Sequence, residues 1–518
     1  EHGTPLVVSG TTDAPAGQTV TLTLNGKTYA ATVQNDGTWS YTVSSADVAA
    51  LADGGSYVIN AQVSNTIGNS ASDNHTVTVD LTAPSMGISI DSLQNDTGLS
   101  ATDFITNDSQ VVVNGSLTAQ LGNNEKAQIS LDGGVTWIDL TVTGTAWRYA
   151  DGRTLTDGTY QYQVRVIDNA GNVGATDSQD VVIDLTKPAA TTITVDSITQ
   201  DTGLSGSDFI TSDNQISLKG TLGAALGSGD HAQISLDGGV TWIDVSVSGL
   251  SWTYVDGRKL ADGDYNYQLR VIDDAGNISA TASQVVTIDT VAPDASKTIA
   301  IDSISDDTGQ SGSDFITMDT TLTINGSLGS ALANDERVQI SLDGGNTWLD
   351  TTVTNQRWSY TDTRDLPDGD YTYQVRIIDQ AGNVGSTASQ VVTVDTTPPT
   401  TVGTVVSYTD GEGERQGTFG SAVATDDNSP LINGTLNRAP DDGEIVQLYR
   451  DGVLLGQVTM NGSASWSFQD NGLSDGNHTY IVRVTDRAGN YTESDGFVLN
   501  VDTSIPTTTA AITAQTTS

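Results

Sequence analysis

Cysteine is absent from the 518 residues, so no disulfide can stabilise any part of the chain, and other cross-links, metal ions among them, become worth looking for. Positive charge is scarce. Twenty Lys and Arg stand against 64 Asp and Glu, a formal charge of -44 that argues against nucleic acid or anionic lipid as a partner and favours cations. The four histidines, His2, His75, His231 and His478, fall at unrelated places. No His-Glu-x-x-His, Gly-x-Ser-x-Gly, Walker or dinucleotide motif occurs, and the carboxylates recur too regularly for one glycosidase cleft, so the chain is not expected to be an enzyme. No apolar run approaches the ~18 residues of a membrane span. The opening Glu1-His2-Gly3-Thr4 is not a signal peptide and reads as the interior of something longer. Also missing are the EF-hand loop and the Gly-Gly-x-Gly-x-Asp nonapeptide, so any calcium would be held between domains rather than within one loop.

What the chain has in abundance is repetition. Asp168-Asn169-Ala170-Gly171-Asn172 returns at Asp273–Asn277, Asp379–Asn383 and Asp486–Asn490, and an Asp-x-x-x-Pro joint begins at Asp80, Asp184, Asp289, Asp395 and Asp502. Successive joints lie 104, 105, 106 and 107 residues apart, the size of a small domain rather than of a solenoid unit. The boundaries read as a variant domain 1–83, near copies 84–187, 188–292 and 293–398, a variant 399–503, and 504–518 as a tail or the start of another repeat.

Each copy opens with a strand and a long acidic loop, Asp96-Thr97-Gly98 to Asp103-Phe104-Ile105-Thr106 in the second. A strand ending in Asn114-Gly115, a hairpin around Asp132-Gly133-Gly134 and an alternating strand Tyr160, Tyr162, Val164, Val166 come next. About seven strands per hundred residues with frequent turn signals predict an all-β, antiparallel sandwich. Only Ser45 to Ala52 suggests a helical turn or two. In the first domain Thr19 to Leu24 alternates into an Asn25-Gly26 hairpin turn, and Pro15-Ala16-Gly17 is read as standing where the other copies carry the acidic loop. The eight tryptophans, Trp39, Trp137, Trp147, Trp242, Trp252, Trp348, Trp358 and Trp466, recur at fixed repeat positions and are expected to fill cores rather than to stack on sugars. The Asp-Gly pairs at Asp132, Asp151 and Asp157 read as turn formers, and Leu155-x-Asp157-Gly158-x-Tyr160 as a tyrosine corner.

The Asp-x-Ala-Gly-Asn loop, the Asp-x-x-x-Pro joint and Ser-Leu-Asp-Gly-Gly-x-Thr-Trp together resemble the bacterial Ig-like repeats of giant type I-secreted adhesins and biofilm-associated proteins of Gram-negative bacteria. The resemblance implies a tandem array of five Ig-like sandwiches forming an extended rod, with calcium at the joints, outside the cell at the bacterial surface. It implies a stalk that projects a distal adhesive region, which would meet host glycans or matrix, in cell adhesion or biofilm formation. A carbohydrate-binding or receptor-binding array is the rival reading.

In such a sandwich the loop after the first strand lies with the last strand at the exit end, and the Asp-x-Ala-Gly-Asn loop at the entry end. Joint two to three would therefore gather Asp96, Asp103, Asp184, Asp273 and Asn277; joint three to four, Asp201, Asp208, Asp289, Asp379 and Asn383; joint four to five, Asp307, Asp314, Asp395, Asp486 and Asn490. Joint one to two keeps only Asp80, Asp168 and Asn172, a poorer site. All are oxygen donors, which suits Ca2+. The expected partners are calcium ions and the neighbouring repeats of a monomeric chain, and five domains of ~35–40 Å would make a rod of roughly 200 Å.

Overall fold

Alternation of β-branched and aromatic residues with polar ones gives the pleated, half-buried strands that dominate the molecule, and α1, Ser45–Val48, is its only helix among the described residues. A computed structural model describes residues 4–505 and 507. His2, Pro506 and nearly all of the segment read as a tail, 504–518, lie outside the described residues. Among the described residues ten sheets are formed.

The first repeat has strands β1 (Leu6–Thr11), β2 (Thr19–Leu24), β3 (Lys27–Thr32), β4 (Thr38–Val43), β5 (Ser56–Ser64) and β6 (Ser70–Thr78). One sheet is β1-β4 and the other β3-β2-β5-β6. Asn25 and Gly26 close the β2–β3 hairpin with φ of 48° and 72°, the mirror-image turn that matches strand twist. The second repeat runs β7 (Ile88–Leu93), β8 (Ile105–Thr106), β9 (Val112–Leu117), β10 (Glu125–Ser130), β11 (Ile138–Asp139), β12 (Val142–Thr143), β13 (Ala146–Ala150), β14 (Gly158–Asp168) and β15 (Val173–Ile183). Its sheets are β12-β13-β9-β7 and β11-β10-β14-β15-β8. The strand count exceeds seven because β8, β11 and β12 are two-residue pieces. β8 runs parallel to the end of β15, Val182 opposite Ile105, and so ties the acidic loop to the exit end of the repeat.

The core sits between the sheets. Tyr162, Val164 and Val166 on β14 are fully buried and meet Trp147, Ile129 and Val113, each aliphatic contributing about 1.5–3 kcal/mol by burial. One carboxylate is buried with them: Asp151 accepts from the Tyr162 hydroxyl at 2.6 Å and from Arg153. Burial opposes its charge, but the bonds from Arg153 and Tyr162 prevail and hold it below the usual carboxylate range. Asp362 with Tyr373 and Arg364 repeats the arrangement.

Four expectations are corrected. Trp39, Trp147, Trp252, Trp358 and Trp466 are core, but Trp137, Trp242 and Trp348 are half-buried surface residues whose rings are covered by Arg165, Arg270 and Arg376 at 4.0, 4.2 and 4.0 Å. A guanidinium stacks on the ring face as well as core atoms would, so recurrence alone did not separate the two sets. Asn114-Gly115 is not the end of a strand but lies within β9, where an added Cβ at Gly115 would come 2.1 Å from Ser89 O and 2.1 Å from Trp147. Pro15-Ala16-Gly17 joins β1 to β2 and corresponds to the β9–β10 connection, not to the acidic loop. The Asp-Gly aspartates also differ among themselves: Asp132 caps its own turn through Val135 and Thr136, whereas Asp157 reaches the linker, accepting from Leu185 N–H at 2.6 Å. The tyrosine corner is present, with the Tyr160 hydroxyl donating to Thr156 O at 3.1 Å.

The chain clusters into two compact units, Glu1–Ser197 with Ser217–Asp256 and Asn266–Val285, and Ile198–Ile216 with Gly257–Tyr265 and Val286–Ser518. Within the first, Ser217–Leu222 pairs with Ser251–Val255 as β9 does with β13. Within the second, Ile210–Thr211 pairs in parallel with Thr287–Ile288, the fourth repeat pairs Ile299–Ile304 with Thr323–Leu328, and the fifth pairs Gly403–Asp410 with Leu431–Leu436.

Candidate metal sites at the repeat joints

The linker aspartate is fixed first by its main chain. Asp184 N–H donates to Thr106 O at 3.1 Å, Asp289 to Thr211 O at 3.0 Å and Asp395 to Thr317 O at 2.9 Å, continuing the parallel pairing one residue beyond the strand. The Asp-Gly turn holds the next residues: the Asp157 carboxylate takes Leu185 N–H and the Thr186 hydroxyl, and those bonds depress its pKa. The joint prolines Pro84, Pro188, Pro293 and Pro399 are buried.

The Asp-x-Ala-Gly-Asn loop of the following repeat then closes on the linker. Asn277 donates through Nδ2 to Asp184 O at 2.8 Å and to Asp273 Oδ2 at 2.9 Å, while its own N–H meets Asp273 Oδ1 at 2.8 Å. Asn383 does the same to Asp289 O (2.8 Å) and Asp379, Asn490 to Asp395 O (2.7 Å) and Asp486, and Asn172 to Asp80 O (2.9 Å) and Asp168. Asp273 and Asp379 are 4% and 3% exposed, so these carboxylates depend on the bonds they receive. Burial acts against Asp168, yet the Asn172 side chain and backbone N–H groups hold it below the usual range. Asp289 goes the other way: burial raises it first, and the Asp379, Asp262 and Asp335 carboxylates add to this.

A second group of acids lies in the acidic loops. Asp96 Oδ2 accepts from Phe104 N–H at 3.1 Å and Asp103 Oδ1 from Ile105 N–H at 3.1 Å. The other Asp96 oxygen, Oδ1, is buried without a hydrogen-bond partner, and the same is true of Asp201 Oδ1 and Asp307 Oδ1. Burial, and then the neighbouring Asp103, Asp208 or Asp314 carboxylate, raises the pKa of each. The turn between the paired acids is itself strained, with Phe104, Phe209 and Phe315 at φ of 62°, 63° and 62°, an uncommon conformation for a bulky side chain. The fifth repeat departs: Asp410 has both oxygens engaged, by the Thr425 hydroxyl and Glu412 N–H.

Sequence reasoning missed a direct clasp between repeats. The Thr97 hydroxyl donates to Ala275 O at 2.8 Å and Leu99 N–H to Asp274 O at 3.2 Å; Thr202 with Ala381 (2.6 Å) and Thr308 with Ala488 (2.5 Å) repeat it. Glycine is required on both sides. A Cβ on Gly98 would stand 1.9 Å from Asp274 O, and one on Gly276 2.8 Å from Gly98 N. The recurring Asp-Thr-Gly at 96–98, 201–203 and 307–309 was the available signal, legible only once the loops were known to meet. Among the described residues no three Asp, Glu, His or Cys side chains come together as a metal cluster. Any cation there would draw on main-chain oxygens as well.

A sequence profile described as "Bacterial Ig-like domain" matches residues 3–81, 82–185, 188–290, 295–396 and 405–503. Exoglucanase B of Cellulomonas fimi is 27% identical over 369 residues, 70% of this chain, which spans only 30% of that relative's length. Among solved structures, a tetra-tandem repeat from the extending region of a large adhesion protein aligns at 22% identity, covering 76% of this chain and 96% of that one, with a TM-score of 0.22. A Ca2+-stabilized adhesin of an ice-binding Antarctic bacterium aligns at 23% identity over 76% of this chain and 95% of that one, with a TM-score of 0.24. TM-scores so far below one half give neither likeness any weight. The profile has weight, since its five matches take in nearly every described residue: the chain belongs to the bacterial Ig-like domain family, as five repeats in tandem.

Proposed function

We propose that the array is a stalk segment of a large bacterial cell-surface adhesin, outside the cell and monomeric, with calcium holding its joints. The observation that carries this reading is the buried, unpartnered carboxylate oxygen found at the same place on Asp96, Asp201 and Asp307. An isolated buried acceptor costs about 1–3 kcal/mol, and a charged one more, so three such oxygens beside a second carboxylate are a donor set short of a cation. Oxygen-only donors on loops fit Ca2+ better than a metal that wants thiolate or imidazole.

Asp96 with Asp103, Asp201 with Asp208 and Asp307 with Asp314 would hold the ions, with the linker acids Asp184, Asp289 and Asp395 at hand. Asp273, Asp379 and Asp486 with their asparagines lock the linker from the other side, and Asp80 with Asp168 and Asn172 makes a weaker first joint. Bound calcium supplies the positive charge that these carboxylates lack. Release unfolded by type I secretion and stiffening in calcium-rich surroundings would be the consequence, a route that needs no disulfide. Catalysis is not proposed: the activity in the name Exoglucanase B stays with that relative.

Small-angle scattering with calcium and with chelator tests the stalk. Removing the ion should broaden the distance distribution and shorten the maximum dimension, and identical curves would overturn the reading. A carbohydrate-binding array is the second reading, favoured by Trp137, Trp242 and Trp348 at one surface position and weakened by the arginine on each ring. Glycan-array hits that vanish in Trp242→Ala would favour it.

A further inference from the structure

Cations are scarce in this chain, yet three arginines stand at one place in the fold with no acid on them, among the described residues. Arg165, Arg270 and Arg376 are half-buried under solvent, stack on a tryptophan ring and donate to a neutral partner, the side-chain oxygen of Gln128, Gln233 or Gln339, at 2.9, 2.9 and 2.8 Å. Burial lowers the pKa of each, as it does for a charge that little compensates. The fifth repeat shows what such a guanidinium takes. Its counterpart Arg483, 107 residues beyond Arg376, lies opposite Glu493 in register and donates to that carboxylate from Nε at 2.8 Å. Arg376 instead lies opposite Thr387, and Arg165 opposite Thr176.

In the fourth repeat this guanidinium lines a pocket of about 440 Å³, together with Arg337, Gln339, Trp348 and Asp350 and with Leu204 from the tip of the third repeat's acidic loop. The clasp holds that tip in place, Leu204 N–H donating to Gln380 O at 3.2 Å. Arg337 is a second guanidinium particular to this repeat, since Lys126 and His231 hold its register position in the second and third. Asp350 receives one bond on each oxygen, from Gln339 at 2.9 Å and Arg337 at 3.0 Å, and keeps lone pairs for further donors.

Three chemistries therefore meet in one pocket. A carboxylate would serve Arg376 as Glu493 serves Arg483. Asp350 and Gln339 suit hydroxyl groups, and Leu204 suits the apolar face of a ring. A sugar that carries a carboxylate has all three. The formal charge of -44 disfavours a long polyanion, which leaves a single acidic residue. We propose that the pocket between the third repeat's loop tip and the fourth repeat binds an acidic sugar at the end of a glycan, carboxylate on Arg376, ring against Leu204 and hydroxyls on Asp350 and Gln339. The clasp builds this site, so its failure would leave the calcium reading standing.

The test is saturation-transfer NMR of the full chain, in calcium, with methyl glucuronide and N-acetylneuraminate, each bearing one carboxylate. Saturable transfer to at least one is expected, and methyl glucoside and acetate should give none. Thr387→Glu, at an exposed position, copies the Arg483–Glu493 pair and should weaken binding at least tenfold, whereas Thr387→Gln should leave it unchanged. Leu204→Ser should weaken it about threefold. No saturable transfer to either acidic sugar, equal binding of the glucoside or of acetate, or undiminished binding by Thr387→Glu would each overturn the proposal.

Discussion

At the scale of the residue, the acids of the joints carry opposite electrostatic signs according to what surrounds them. Asp157 and Asp168 are stabilised as anions by hydrogen bonds, whereas Asp96, Asp201 and Asp307 are destabilised as anions by burial and a neighbouring acid. The raised group binds its proton more tightly folded than unfolded. In chelator its contribution to stability is therefore greatest at low pH and falls as pH rises from the ordinary value of about 4 through the raised one. Calorimetry of the calcium-free protein beside its Asp201→Asn variant separates this group from the carboxylates with lowered pKa, which act the other way: the variant's advantage should shrink as pH falls through that window, and saturating calcium should remove it. Asp201→Asn should stabilise the chelated protein, on the order of 1 kcal/mol, and shrink the increment that calcium gives. A variant less stable in chelator and unchanged in calcium response would contradict this.

At the scale of the element, two kinds of tryptophan and one clasp make separable predictions. Trp147→Ala empties a core site and should cost about 3–5 kcal/mol, whereas Trp137→Ala removes a half-exposed ring stacked by Arg165 and should cost about 1 kcal/mol or less. Denaturant titration of the two variants reads the difference. The clasp predicts that Gly309→Ala, whose Cβ would stand 2.0 Å from Arg487 O, opens the fourth joint without unfolding either repeat. Amide exchange at Gln310, which donates to that carbonyl at 3.2 Å, should accelerate at least tenfold while the strands of both repeats keep their protection. Equal loss across the fifth repeat would mean that the glycine serves the fold rather than the joint.

At the scale of the molecule, the four joints should not be alike. The first carries the Asn172 strut to Asp80, and among the described residues no buried, unpartnered carboxylate oxygen lies at it. Metal analysis of the intact protein should therefore find ions at the other three joints, and Asp96→Asn should remove the ion of the second. Spin labels across the first joint should give a broader distance distribution than labels across the third, in calcium as well as in chelator. Equal occupancy at all four joints would contradict the assignment.

The sequence by itself determined the number of repeats, the strand-rich character of each and the acids worth attention, because turn chemistry and two-residue alternation are local properties. It also placed the acidic loop at the exit end, since antiparallel order leaves little choice there. Only the tertiary structure decided which tryptophans are core, since nothing in the residues beside Trp137 or Trp147 records that Arg165 will cover the one ring while the other packs among core side chains. It also decided that Gly98 lies against the loop of the next repeat and that Asp96 keeps one oxygen unpaired. The first brings together chain segments more than a hundred residues apart, and no local pattern records which segment will arrive; the second turns on how one loop folds, with Phe104 N–H reaching Asp96 Oδ2 and nothing reaching Oδ1.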